Sequence, residues 1–262
     1  MENSKEIKME GKILEKLRQI EKEKNIEILF AVESGSRAWG FASPDSDYDI
    51  RFVYKHKKDW YLNLWEQKDT IEFMTEDDLD GSGWDLKKAL QLLAKSNASF
   101  LGWLFSPVVY YANDKLLKEI QTLAHTSFNP VSGFYHYHSM NKGFEEKLGT
   151  NEMTIKSYFY AIRTALCANW IVKKRTIPPV EFKELYPLIE VEYQEKLDEL
   201  ILLKSSSEEK SNVKVDIHLL ELVKDITIEN NSLKEGLENI KPNKELFNQL
   251  FLKIVNDDNK GT

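Results

Sequence analysis

The chain is poor in cysteine, in long apolar runs and in net positive charge. Its single cysteine, Cys167, excludes an internal disulfide and a cysteine-rich zinc site. No apolar run approaches the roughly 18 residues that a membrane helix needs. The charged N-terminus MENSKEIKMEGK also lacks the apolar core of a signal peptide. A cytoplasmic protein with no membrane association is therefore expected.

The acidic balance limits the class of partner. A formal net charge of -7 argues against sequence-independent coating of nucleic acid, which requires a basic surface, but leaves room for a local basic pocket that holds one nucleotide. With 262 residues, 42% hydrophobic and 30% charged, the composition is that of an ordinary globular protein with one large or two modest domains.

Strand and helix patterns are distributed unevenly along the chain. Four segments have the composition of strands, at 26–32, 47–54, 70–74 and 79–85, whereas 55–69 has helical spacing of its aromatic residues. From Asp114 onward the periodicity is helical, without a convincing strand. The sequence predicts an α+β fold, in which a domain with a small mixed sheet (1–110) precedes an α-helical domain (111–262).

The segment 33–52, ESGSRAWGFASPDSDYDIRF, concentrates the chemistry. Asp47 and Asp49 stand at i and i+2 of a predicted strand, so both carboxylates point to one face. Two adjacent anions require a neutralising cation, and hard divalent cations prefer oxygen ligands, which indicates a magnesium site. Arg51 falls on the same face, where it either pairs with the aspartates in the absence of metal or contacts substrate.

The same segment supports a family resemblance. Gly35-Ser36, ten intervening residues and Asp47-x-Asp49 resemble the signature of the DNA polymerase β-like nucleotidyltransferase superfamily. More narrowly, GSRAWGF followed by SDYDIRF is similar to predicted nucleotidyltransferases that include RNA-ligase-associated members. The stretches GWDLKKALQLLAKSN (83–97) and SPVVY (106–110) agree with that narrower family.

The resemblance implies a polymerase-β-like catalytic domain and an activity. In such enzymes the turn corresponding to Gly35 and Ser36 opens a helix that holds the β- and γ-phosphates of a nucleoside triphosphate such as ATP, as a helix N-terminus can. Three carboxylates hold two Mg²⁺ ions, and a nucleoside monophosphate passes to an acceptor hydroxyl with release of pyrophosphate. Asp47 and Asp49 match two of those carboxylates. A nucleotide-binding regulatory module without transfer activity is the alternative.

The third carboxylate has three candidates. Asp85, within the family-like Gly-Trp-Asp segment, is the first choice, and Glu72 and Asp80 are the alternatives. Asp85 also immediately precedes the predicted helix LKKALQLL, so capping of that helix is its competing role.

Cations supply a second group of candidate nucleotide-binding residues. Arg37 follows the Gly-Ser turn, and Lys156, Tyr160 and Arg163 lie at i, i+4 and i+7 on one stripe of a predicted helix. Such a stripe suits a triphosphate, although a solvated helix face gives the same pattern. The acceptor stays open among an RNA end, a protein side chain and a small molecule.

Overall fold

A five-stranded mixed sheet is the centre of the fold. The computed structural model describes residues 2–75, 79–145, 152–206, 212–214 and 216–257. The strands lie in the order β3-β4-β2-β1-β5, with β2 and β4 parallel and the other neighbours antiparallel. Their bounds are β1 Glu27–Glu33, β2 Tyr48–Lys55, β3 Thr70–Met74, β4 Leu79–Asp85 and β5 Val109–Ala112. Together with the helices that follow, this confirms the predicted α+β class.

Helices surround the sheet and form most of the second half of the chain. They are α1 Glu2–Lys24, α2 Gly35–Trp39, α3 Lys58–Tyr61, α4 Leu86–Ala94, α5 Ala98–Leu104, α6 Asp114–Ser127, α7 Pro130–Glu145, α8 Ile155–Lys174, α9 Val191–Ser205, α10 Ile217–Leu233 and α11 Lys244–Asn256, with 3₁₀ turns at Phe182–Leu188 and Lys234–Gly236. None of these helices combines the length and the hydropathy needed to cross a membrane, within the part of the chain that the structure describes.

The two faces of the sheet pack against different elements. Ile50, Phe52 and Tyr54 of β2 join a core cluster that includes Ile13 and Leu17 of α1. Because side chains alternate along a strand, the intervening residues of β2 point to the other face, toward the helical part. The carboxylate predicted at position 49 therefore lies on the face that the helical part covers.

Glycine is required on the α1 side of β4. A Cβ atom at Gly83 would lie 2.2 Å from the ring of Phe52, and one at Gly81 would lie 2.0 Å from the ring of Phe73. The glycines weaken β4 as a strand, but they allow two phenylalanine rings to lie directly on its backbone.

Several elements differ from the sequence-based expectation. The sheet extends to Ala112, because β5 pairs with β1, so the predicted division at 110/111 falls inside a strand. Among the described residues one core cluster includes both Leu29 of β1 and Val255 of α11, and the division into two domains stays a prediction. The helical part also contains two short antiparallel strands, β6 Glu152–Thr154 and β7 Asn212–Lys214, which the prediction of helices alone missed.

The helical pattern at 55–69 was only partly correct. The helix covers Lys58–Tyr61, and the side chains of Leu64 and Trp65 are 85% and 77% exposed. A short helix in water depends on tertiary packing of its apolar face. The residues beyond Tyr61 lack such packing, so the periodicity did not extend the helix.

Candidate functional site

The Gly35 turn and the Asp49 strand meet as the spacing predicted. Gly35 has φ +62°, and a Cβ atom there would lie 2.1 Å from Oδ2 of Asp49. The N–H of Ser34 donates to the carbonyl of Asp49 at 2.9 Å, which fixes the start of α2 beside β2. Only glycine fits this position, because the chain must adopt a left-handed conformation and approach a carboxylate closely.

Ser36 belongs to a buried line of hydroxyl groups. Its Oγ donates to Oγ of Ser46 at 3.2 Å, and that Ser46 oxygen accepts from the N–H of Ser43 at 2.9 Å. Nζ of Lys204, a fully buried residue of α9, donates to Oγ of Ser43 at 2.6 Å. The shape of the turn that carries Ser36 is therefore tied to the end of a helix more than 150 residues later in the chain.

Arg37 braces the same turn from its exposed side. Its Nη2 donates to the carbonyl of Ser46 at 2.7 Å and its Nε to the carbonyl of Asp47 at 3.2 Å. The guanidinium also lies 3.9 Å from the centre of the Tyr48 ring. These contacts hold the turn that leads into β2, and binding of nucleotide by Arg37 stays a prediction.

Asp49 and Asp80 form a carboxylate pair on the covered face. They are partners in the parallel pairing of β2 with β4, and Nη2 of Arg51 donates to Oδ1 of Asp49 at 2.7 Å and to Oδ2 of Asp80 at 2.8 Å. Burial raises the pKa of Asp49, and the charges of Arg51 and Lys156 oppose that rise. The pairing of Arg51 with an aspartate was one of the two roles expected from the sequence.

The donor set of this pair suits a divalent cation. Oxygens of Asp49 and Asp80 converge on one nitrogen of Arg51, whose single positive charge balances one of the two negative charges. Asp47 is exposed and lies immediately before β2, the strand that carries Asp49. Among the described residues, no three side chains of His, Cys, Asp or Glu are grouped so as to hold a metal ion.

Asp85 does not lie with these carboxylates. It pairs with Tyr54, five positions beyond Asp49 on β2, or about 16 Å at strand spacing, and the odd offset turns its side chain to the opposite face. Its carboxylate caps α4 by accepting from the N–H of Lys87 at 2.8 Å and also accepts from the hydroxyl of Tyr61 at 2.8 Å. Burial raises the pKa of Asp85 to about 6. Asp85 thus has the helix-capping geometry that was its competing role, whereas Asp80, one of the two alternatives for the third carboxylate, lies beside Asp49.

Glu33 was missed in the sequence. This carboxylate is 1% exposed at the end of β1, where Oε1 accepts from the N–H of Asp49 at 2.7 Å and Oε2 accepts from the hydroxyl of Tyr110. Burial raises the pKa of Glu33 to about 7, and the hydrogen bond from Tyr110 acts in the opposite direction. The available signal was a lone glutamate that ends the apolar run ILFAV directly before the Gly-Ser turn.

A cleft with a volume of about 720 Å³ opens beside the carboxylates. Arg51 and Asp80 line one end, and the walls come from β3 and β4 on one side and from α5, α7 and α8 on the other. Arg163 of α8 is buried in this wall, with its guanidinium 4.3 Å from the centre of the Trp39 ring. Lys156 of α8 is exposed and acts on the charge of Asp49. The predicted stripe therefore faces the site, and its role in nucleotide binding stays a prediction.

Comparison with known proteins places the chain in a family. Residues 9–253 match the family model described as RlaP, RNA repair pathway DNA polymerase beta family. The uncharacterised protein YcgL of Bacillus subtilis (strain 168) is 41% identical over 204 residues, which cover 77% of this chain and 78% of that protein. A nucleotidyltransferase-like protein from Exiguobacterium sibiricum 255-15 aligns in structure at 12% identity with a TM-score of 0.31, covering 90% of this chain and 77% of that one. With the match spanning nearly the whole chain, the protein belongs to the RNA repair pathway DNA polymerase beta family, a family of polymerase β-like nucleotidyltransferases.

Proposed function

We propose that the protein is a magnesium-dependent nucleotidyltransferase that transfers a nucleoside monophosphate from a nucleoside triphosphate to an acceptor hydroxyl. One observation carries the proposal. Asp49 and Asp80 lie side by side on parallel strands, and Gly35 approaches Asp49 so closely that no side chain could stand there. A turn that suits phosphates and a pair of carboxylates that suits a divalent cation thus form one site.

The carboxylates proposed to hold the metal are Asp47, Asp49 and Asp80. When bound, Mg²⁺ would offset the charge of the triphosphate and acidify the acceptor hydroxyl. Arg51 occupies the point where the oxygens of Asp49 and Asp80 converge, so its guanidinium would have to move from that point. Glu33 holds the backbone of Asp49 and thereby orients its carboxylate.

The phosphate end of the site is proposed at the start of α2. The first N–H groups of a helix have no partner within the helix, so those of Gly35 and Ser36 are suited to donate to phosphate oxygens. Lys156 supplies a positive charge that already acts on Asp49, and Arg163 supplies one in the cleft wall. Both charges favour a polyanionic substrate.

The proposed reaction is a single displacement at the α-phosphorus. The acceptor oxygen forms a bond to that phosphorus while the bond to the β-phosphate oxygen breaks, so that pyrophosphate leaves on the side of Gly35. The hydroxyl proton passes to the carboxylate of Asp80 or to solvent. Since the family is described by an RNA repair pathway, an RNA end is the first acceptor to test.

The test is transfer of label from each α-³²P-labelled nucleoside triphosphate, with Mg²⁺, to RNA, protein and small-molecule acceptors. We expect Asp49→Asn to lower kcat/KM at least about 100-fold, because a ligand to the metal contributes several kcal/mol to transition-state stabilisation. Asp59→Asn, at an exposed carboxylate of α3, is the matched control and should leave transfer unchanged.

Two outcomes would contradict the proposal. Transfer that survives Asp49→Asn would remove the carboxylate pair from the mechanism. Tight binding of triphosphate without label on any acceptor would instead favour a regulatory module that binds nucleotide.

A further inference from the structure

The face of β4 that points into the cleft carries three different chemical groups in a row. Asp80, Ser82 and Trp84 alternate with glycines, and all three line the cleft. From Asp80 to Trp84 the strand advances about 13 Å. A carboxylate, a hydroxyl and an indole therefore follow one another from the catalytic end into the cleft.

The indole of Trp84 is held by a second tryptophan. Its ring stacks on that of Trp103 of α5, with centroids 3.7 Å apart and planes at 28°, and Trp103 is only 5% exposed. Trp84 itself is half-buried and lines the cleft. A fixed aromatic ring at the wall of a cavity is the usual stacking partner of an unpaired base.

The topology of the sheet determines which substrate reaches this wall. In an in-line displacement the attacking oxygen enters opposite the leaving pyrophosphate. The proposed phosphate turn follows β1, on one side of β2, whereas β4 lies on the other side of β2. The acceptor must therefore approach over β4, where the cleft begins.

We propose that this wall is the acceptor subsite, and that it takes the terminal ribonucleoside of a single-stranded RNA. The inference rests on the proposed function and specifies its acceptor. The terminal hydroxyl lies at Asp80, the ribose beside Ser82 and the base against Trp84. A volume of about 720 Å³ is in the range of sites that enclose a ligand of this size.

The chemistry of the walls favours a nucleoside over a tyrosine side chain. A tyrosine carries its hydroxyl on the ring, so a tyrosine at Asp80 would place its ring at Asp80, not beyond Ser82. The exposed carboxylate of Glu72, which pairs with Ser82 across β3 and β4, disfavours a phosphate at that point. Arg163 also lines the cleft, so its charge can act on the phosphodiester that follows the terminal nucleoside as well as on the triphosphate.

The test is binding of a short single-stranded oligoribonucleotide, labelled with fluorescein at its 5′ end, measured by anisotropy without triphosphate or metal. We expect Trp84→Leu to weaken binding about 5- to 150-fold, the range for loss of one base–aromatic stack. Trp84→Phe keeps a ring and should recover part of the affinity. Trp65→Leu is the matched control, because Trp65 is 77% exposed and does not line the cleft.

An oligonucleotide whose 3′-terminal residue is abasic tests the contact from the ligand side. It should bind the wild-type protein as weakly as the intact strand binds Trp84→Leu, and the variant should distinguish the two strands little. Thermal unfolding checks that Trp84→Leu is folded. If Trp84→Leu is unfolded, the intact and abasic strands are compared on Trp84→Phe instead, and that comparison tests the subsite.

The outcomes separate this inference from the proposed function. Wild-type affinity in Trp84→Leu, equal binding of the abasic strand, or transfer to protein alone would overturn the acceptor subsite. Binding of RNA through Trp84 with no label transfer under any condition would overturn the transferase and leave the subsite standing. Transfer of label to RNA with an unchanged KM for the RNA acceptor in Trp84→Leu would overturn the acceptor subsite and leave the transferase standing.

Discussion

The proposal that Asp80, and not Asp85, belongs to the catalytic carboxylates gives a paired prediction. We expect Asp80→Asn to lower kcat/KM by about 10²- to 10³-fold, because it removes a proposed metal ligand worth several kcal/mol in the transition state. Asp85→Asn should leave kcat/KM within about threefold, since its side chain lies about 16 Å along the strand and on the other face.

Neither change should unfold the protein. The Arg51–Asp80 pair is partly exposed, with 16% and 35% of the two side chains accessible, so its loss should cost at most about 1 kcal/mol. Asparagine caps helices about as well as aspartate, but its amide nitrogen cannot accept from the hydroxyl of Tyr61, so Asp85→Asn should cost about 1–3 kcal/mol. Both variants should therefore stay folded, and urea unfolding measures the difference in their stabilities.

The measurement is transfer of α-³²P label under saturating Mg²⁺, with urea unfolding of each variant in parallel. Loss of transfer in Asp85→Asn together with normal transfer in Asp80→Asn would refute the reasoning from strand register. A selective rise in the Mg²⁺ concentration needed for half-maximal rate in Asp80→Asn would identify a ligand, which a structural defect would not produce.

Two further predictions concern the turn and the buried glutamate. Gly35→Ala should lower both stability and transfer, because it combines left-handed strain of about 1–2 kcal/mol with a methyl group 2.1 Å from Oδ2 of Asp49. Gly40→Ala, which has φ +84° and open space at Cβ, should show the strain in thermal unfolding but keep wild-type transfer, and equal transfer in both variants would contradict the steric argument. The pKa of Glu33 is raised from 4.5 to about 7 in the folded protein, so the fold favours the protonated form. The contribution of Glu33 to the free energy of unfolding is therefore fully present below pH 4.5 and falls by about 2–3 kcal/mol between pH 5 and pH 8. Glu33→Gln should flatten that dependence in urea unfolding, and an identical pH profile in the variant would show that Glu33 does not titrate there.

Local spacing predicted the half of the site that is local in sequence. Gly35 and Asp49 are joined by one short helix and one turn, so two elements and the alternation of strand side chains were enough to place them together. The same local logic predicted that Arg51 shares the face of Asp49.

The third carboxylate could not be predicted in this way. Its identity depends on the register between β2 and β4, two parallel strands connected through β3, and a shift of one residue moves every side chain to the other face. Asp80 and Asp85 are an odd number of positions apart, so only one of them could share the face of Asp49. The sequence contained both residues but not the register.

Helical periodicity alone also could not predict which helical residues are buried, because that depends on how the helix packs against the rest of the fold. The stripe on α8 was predicted from residue spacing, yet every residue from 161 to 169 is buried, including Arg163, whereas the pattern around Trp65 had no surface to cover. Glu33 escaped notice for a similar reason, since its partner Tyr110 lies on β5, a strand that the sequence did not indicate.

The contact between Lys204 and Ser43 limits how freely this fold can be rearranged. A buried lysine near the end of α9 donates to the hydroxyl of Ser43, which lies in the turn that shapes the proposed phosphate site. The sheet therefore does not carry every part of the proposed site, although it carries the proposed catalytic carboxylates Asp49 and Asp80. Transplanting the sheet onto another helical partner would remove that donor, so a transplanted sheet would need a replacement for Lys204 to keep the shape of this turn.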